Sequence, residues 1–163
     1  MSDHVTFQDK HNFRSPLSEI QQDTIREAIS LLDGRLRSSQ AYTNTSDVRD
    51  FCQLHIADER DEKFCCIFLD NQHRMISFEK LFSGTIDGAA VYPRVVVRRA
   101  LELNAAALIF SHNHPSGLPE PSSADKSITL RLRDALNLID VRVLDHIVVG
   151  VEGTVSMAER GMI

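Results

Sequence analysis

Two histidines one residue apart, His112 and His114, and an aspartate after ten intervening residues, Asp125, are the residue types of a catalytic zinc site. Such sites commonly take three protein ligands and leave the fourth position to water. In an extended segment, residues i and i+2 point the same way, so both imidazoles can be presented to one point. The apolar run Ala105 to Phe110 reads as a buried strand that ends in Ser111-His112-Asn113-His114 and carries the pair from core to rim. A loop rich in Pro, Gly and Ser follows, long enough to fold back, and Asp125 falls in the first turn of the next helix. Each piece also has a plainer reading. A His-x-His pair is often a solvated turn, and Ser122-x-x-Asp125 is the form of a helix N-cap, with an acid favoured by the helix dipole. On the residues alone both readings stay open.

The surrounding pattern supplies the elements that would position this segment. Ser15-Pro16 reads as the cap and first residue of a helix, with Ile25, Ala28, Ile29, Leu32 and Leu36 as its stripe and Gly34 at its fraying end. A second helix is expected from Thr45/Ser46, with Val48, Phe51, Cys52 and His55 on one face. Phe64 to Leu69 is a continuous apolar run, as in a strand covered on both sides. Asp70 to His73 reads as a turn, Arg74 to Leu81 as the returning strand of a hairpin, and Phe82 to Thr85 as its end. Pro93 opens a third helix with Val96, Val97, Ala100 and Leu101 inward. A helix from about Ser123 to Leu138 and a strand around Val141 to Val149 complete the set. Alternating strands and helices with a hairpin among them indicate an α/β fold whose mixed, partly antiparallel sheet is flanked by helices.

Bulk properties set limits on function. The 163 residues suit one domain with a short appendage, and 42% hydrophobic content suffices for a core without a metal staple. A net charge of -5 gives no support to nucleic-acid binding, and Arg94, Arg98, Arg99, Arg131 and Arg133 read as solvated helix faces. Cys52, Cys65 and Cys66 form no Cys-x-x-Cys pair and read as buried free thiols of a reducing compartment. Neither a signal-peptide core nor a membrane-length apolar stretch is evident, so the expected location is cytoplasmic with no membrane partner.

The string His112-Asn113-His114, seven residues, Ser122, two residues, Asp125 resembles the signature of the JAB/MPN (JAMM) metallopeptidase superfamily. The longer string HNHPSG…PSxxD resembles, more narrowly, the RadC family of bacteria. The similarity extends over roughly residues 45–163 and includes LFSGTIDGAAVYPR (81–94), NAAALIFSHNHPSG (104–117) and LDHIVVG (144–150). The resemblance implies a cytidine-deaminase-like architecture over residues 45–163, preceded by a disordered N-terminus and an N-terminal helix in residues 1–44. It also implies a Zn2+ cofactor held by His112, His114 and Asp125, with Ser122 stabilising an oxyanion. A glutamate further upstream is implied as the base, and Glu79 is preferred over Glu102. The implied activity is that of a zinc metallopeptidase or isopeptidase acting on a peptide or protein substrate. Zinc brings the pKa of bound water to about 7, and a carboxylate and a hydroxyl donor can do the rest.

The chain departs from the family where much of it reads Val-His-Pro-Arg-Glu and this sequence reads Val91-Tyr92-Pro93-Arg94-Val95. The N-terminal portion has space for two helices only, so DNA contact through the helix-hairpin-helix domain of longer relatives is not expected. A DNA-repair or mobile-element accessory role, traditional for the RadC label, is the alternative function, and a metal-stiffened binding module is a third. His146 is read as a core or supporting histidine, His55 and His73 as ordinary helix-face or surface residues, and His4 and His11 as without a role. Substrate identity and oligomeric state stay open.

Overall fold

A computed structural model describes residues 17–38, 45–84 and 90–163. Their elements in chain order are α1 (Glu19–Arg37), α2 (Thr45–Ile56), β1 (Lys63–Leu69), β2 (Met75–Ser83), α3 (Pro93–Glu102), β3 (Ala107–Asn113), α4 (Ser123–Asn137), β4 (Arg142–Gly150) and β5 (Gly153–Ser156). The strands lie in the order β2-β1-β3-β4-β5. β1 is antiparallel to both neighbours, β3 and β4 are parallel, and β5 returns antiparallel to β4. This is the mixed, partly antiparallel α/β sheet that the sequence pattern indicates.

The unbroken apolar runs of β1 and β3 follow from burial on both faces. Cys65, Ile67 and Leu69 of β1, with Ala107 and Ile109 of β3, pack toward Phe51, Cys52 and Ile56 of α2. The alternate residues Phe64, Cys66, Phe68, Leu108 and Phe110 pack toward Val96 and Ala100 of α3 and Leu132 and Leu136 of α4. Full burial of one such aromatic contributes about 2–3 kcal/mol, so the two central strands are held firmly from both sides. The three cysteines are buried free thiols, as expected. Burial pushes the Cys52 and Cys65 thiols up to about 12 and raises Cys66 well above its ordinary value, which leaves them neutral and unreactive.

Several boundaries differ from the sequence expectations for physical reasons. The N-terminal helix is capped by Ser18, whose hydroxyl accepts from the Gln21 N–H while the Gln21 side chain accepts from the Ser18 N–H. The expected cap Ser15-Pro16 lies outside the described residues, as do residues 1–14 and Thr85. Gly34 does not end this helix: its missing side chain meets nothing within 4 Å, and the helix continues to Arg37, which pairs with Asp33. Leu101 does not face inward; it is 58% exposed, and Leu103 takes its place against the core. β3 runs through Asn113, so Ser111 and His112 are strand residues and not the turn after it. β5 was not anticipated, since four residues after a short turn carry little periodic signal. Among the described residues no helix is long and apolar enough to cross a membrane.

The chain leaving β3 is held against the end of β4. The His114 N–H donates to the Val149 carbonyl at 2.8 Å, and the Gly117 N–H to the His114 carbonyl at 2.9 Å. Gly117 has a φ of +94°, which favours glycine. Gly150 is required by close approach: a Cβ there would stand 2.2 Å from the Gly117 carbonyl oxygen and 2.9 Å from the Pro119 nitrogen. Gly150→Ala is therefore expected to force the 115–119 loop off the sheet at a cost of about 2 kcal/mol or more, seen as a lowered urea midpoint. An unchanged midpoint would contradict this packing.

Candidate metal centre

β3 ends where α4 begins, at the carboxyl end of a parallel strand, a place where open α/β sheets commonly bind ligands. His112 shares the α3/α4 face of β3 with Leu108 and Phe110, and it is 1% exposed. His114, two residues on, emerges with its ring beside that of His112, centroids 4.8 Å apart. Asp125 approaches from the third position of α4, where a capping box secures it. The Ser122 hydroxyl accepts from the Asp125 N–H at 3.1 Å, and the Ser122 N–H donates to Asp125 Oδ2 at 2.6 Å. The Ser122 hydroxyl donates its own proton to the same carboxylate oxygen at 2.7 Å.

These elements bring together three of the expected ligands. His112 Nε2 lies 2.9 Å from His114 Nε2 and 3.2 Å from Asp125 Oδ1, and His114 Nε2 lies 3.4 Å from Asp125 Oδ2. The three residues form the one group of potential metal ligands found among the described residues. Each imidazole is already engaged through its other nitrogen: His114 Nδ1 by the Leu118 carbonyl at 2.8 Å, and His112 Nδ1 by His146 Nε2 at 2.7 Å. Both Nε2 atoms are thus turned inward to the carboxylate. Tetrahedral ligands about 2.0–2.1 Å from zinc stand about 3.3 Å from one another, so the donor types and their spacing fit that ion.

The electrostatics have the same sense. Burial pushes Asp125 toward its neutral form, but the His112 and His114 rings and the Ser122 hydroxyl beside it prevail and hold its carboxyl well below the usual range. The Asp125 carboxylate raises the His114 pKa against partial burial, with smaller help from the Leu118 carbonyl and the Glu62 carboxylate. Without a metal, a proton on His114 offsets part of the negative potential.

The upstream glutamates are arranged differently from the expectation. Glu79 lies on β2 opposite Cys66, two strands from β3. Its carboxylate accepts from Arg99 at 2.7–3.0 Å and from Ser77 at 3.0 Å, and the Arg99 hydrogen bonds hold its pKa down. Glu102 is tied to the same arginine at 2.9 Å. Neither is among the clustered ligands. Among the glutamates upstream, Glu62 is one whose charge helps raise the His114 pKa, after the larger effect of Asp125. It stands two residues before Phe64, the register partner of His112, so continuing the β1–β3 register outward carries Glu62 toward His114 on the same face. Asn113, 2% exposed between the two histidines, holds the segment that carries Glu62. Its side chain accepts from the Lys63 N–H at 2.7 Å and donates to the carbonyls of Glu59 and Asp61, each at 3.2 Å. The signal in the sequence is the alternation Glu62, Phe64, Cys66, Phe68, which sets Glu62 on the histidine face.

The remaining histidines separate clearly. His146 is fully buried against His112, with the Phe64 and Phe110 rings edge-on to it at 5.5 and 5.7 Å. His55 packs between Phe51 and Phe78, with ring centroids 4.2 and 4.6 Å away. His73 sits in the hairpin turn at a φ of 61° and meets Arg142 at 2.9 Å. His4 and His11 lie outside the described residues.

The central strand of an α/β sheet thus delivers two histidines to an aspartate at a helix start, the arrangement of a candidate metal site. The sequence matches the RadC-like JAB domain over residues 42–162, and the chain belongs to that family. It is 58% identical over 132 residues to a UPF0758 protein of Thioalkalivibrio sulfidiphilus, covering 81% of this chain and 59% of the relative. It is 52% identical over 141 residues to a UPF0758 protein of Marinobacter nauticus, covering 86% of this chain and 63% of the relative. A UPF0758 protein of Vibrio cholerae is 47% identical over 152 residues, covering 93% of this chain and 96% of its own length. The chain thus spans under two thirds of the first two of these relatives and nearly all of the third.

A pH dependence follows from the paired shifts. The raised pKa of His114 contributes stability that is fully present below about 6.5, its unfolded value, and is lost as pH rises through the folded one. The depressed Asp125 pKa contributes stability present above about 3.9 and lost as pH falls through its folded value. Chelator-treated protein should therefore lose stability as pH rises above neutrality, and zinc-loaded protein should not. Thermal denaturation of both forms between pH 5 and 9 measures this, and a gap that does not widen with pH would contradict it.

Proposed function

We propose that the protein is a zinc-dependent hydrolase of the JAMM type that cleaves peptide or isopeptide bonds. The observation that carries this reading is the convergence of His112 Nε2, His114 Nε2 and the Asp125 carboxylate within 3.4 Å of one another, with both Nδ1 atoms engaged elsewhere. His112, His114 and Asp125 would hold the ion, which supplies Lewis acidity and a nucleophilic water near neutral pH when bound. The peptide character of the substrate comes from the family resemblance.

The other roles fall to side chains around that point. Glu62, turned to the histidine face and steadied through Asn113, is the carboxylate suited to accept a proton at its Oε atoms and return it to the leaving amine. This gives Glu62 the role that family resemblance alone suggests for Glu79, whose carboxylate is committed to Arg99. The Ser122 hydroxyl is exposed at the start of α4, and its proton can turn from Asp125 toward an oxyanion. Asp125 keeps the Ser122 N–H as a donor when it does so. Leu118, 56% exposed beside the His114 contact, offers apolar surface for the chain next to a scissile bond.

Three variants divide these roles. Asp125→Ala should lose zinc by elemental analysis. Glu62→Gln should retain zinc but lower turnover of a peptide and lysine-branched peptide library by about 100-fold or more, read by mass spectrometry of new termini. Glu79→Gln should retain both. Zinc retention by Asp125→Ala would remove the ligand set. Loss of turnover in Glu79→Gln, with Glu62→Gln unaffected, would return the proton-transfer role to β2.

A further inference from the structure

We propose that His146 and Thr129 are positioning residues that fix the proton of His112 on Nδ1 and so aim the lone pair of its Nε2 at the metal position. The inference rests on His112 being a ligand and extends to two buried side chains that touch neither metal nor substrate.

The order of protons can be read from the distances. The Thr129 hydroxyl lies 2.5 Å from the Asp125 carbonyl oxygen, one helical turn back in α4. Two oxygen atoms tolerate that approach only when a proton lies between them. A carbonyl has none to give, so the hydroxyl donates. Its oxygen then faces His146 Nδ1 at 2.6 Å as an acceptor, which places the His146 proton on Nδ1. His146 Nε2 is left with a lone pair, and it accepts from His112 Nδ1 at 2.7 Å. The His112 proton is thereby on Nδ1, and its Nε2 carries the lone pair that faces His114 and Asp125. The reverse order would put a hydroxyl lone pair against a carbonyl lone pair at 2.5 Å.

The surroundings keep this order fixed. Thr129 and His146 are fully buried, and His112 is 1% exposed, so water does not compete. Besides those bonds, the neighbours of the relay are the Phe64 and Phe110 rings and the Met157 sulfur, 3.8 Å from the Thr129 hydroxyl. None of them can exchange a proton with it. With the Thr129 hydroxyl already donating to the Asp125 carbonyl, a singly protonated His146 bonds both Thr129 and His112 only with its proton on Nδ1.

The test uses metal-free protein at pH 8 and zinc alone as probe. Long-range nitrogen–proton spectra of the histidine rings should show the His112 proton on Nδ1. Thr129→Val, which keeps shape and removes the hydroxyl, should lower zinc affinity in chelator competition by about 10-fold or more, and Thr129→Ser should return it to within about threefold of the wild type. A His112 proton on Nε2 in the wild type, or unchanged zinc affinity in a folded Thr129→Val protein, would overturn the proposal. If Thr129→Val does not fold, the wild-type spectrum decides alone. If the wild type binds no zinc, the hydrolase reading fails, while the metal-free spectrum still decides the relay.

Discussion

Two imidazoles and a carboxylate are crowded to within 3.4 Å of one another, and much of the molecule is arranged to hold them there. β1 and β4 flank the strand that carries His112, and apolar side chains cover both faces of that strand. His114 is fixed by its N–H on Val149 and its ring on Leu118, and that loop lies in contact with Gly150. Asp125 is held at the start of α4, where the helix dipole and Ser122 offset its charge. Arg160 fixes Glu120, next to the buried Pro121, through two bonds of 2.7 and 2.8 Å and so ties the C-terminal turn to the loop between the ligands. Each of these constraints costs conformational entropy that the apolar core must offset.

The histidines and aspartate were legible in the sequence because their positions depend on local geometry. Residues i and i+2 of a strand share a face whatever surrounds them, and a capping box places its third residue at a helix start. The two readings of Ser122-x-x-Asp125, helix cap or site, prove not to compete. One carboxylate accepts the Ser122 N–H with Oδ2 and faces His112 with Oδ1. A cap is what gives a ligand carboxylate a fixed direction.

The placement of Glu62 was not legible in the same way, because it depends on which strands pair and in what register. Glu79 and Glu62 both precede β3 and both lie on the α3/α4 face, so face alone does not separate them. Strand order does: β1 is the neighbour of β3 and β2 is the edge, which leaves Glu79 to Arg99 and sets Glu62 toward His114. The same dependence on tertiary contact explains Leu101 facing outward. Propensity and periodicity assign an element, but the packing of α3 decides which side is buried.

His146 shows how much of a site can lie in what looks like ordinary core. It occupies a β4 position opposite Phe110, among phenylalanines, where an apolar residue would fill the same volume without the cost of burying two ring nitrogens. Those nitrogens are satisfied only because His112 lies at one end and Thr129 at the other. The chain of bonds begins at the Asp125 carbonyl and ends at the His112 ring, which turns back to the Asp125 side chain. It is therefore a loop that opens and closes on one residue. A shift of α4 along its axis would move the Asp125 carboxylate and the Thr129 hydroxyl together, so Asp125 and His112 are linked through the core as well as directly. That coupling gives a physical reason for keeping a polar chain in a position that hydrophobic packing alone would not favour.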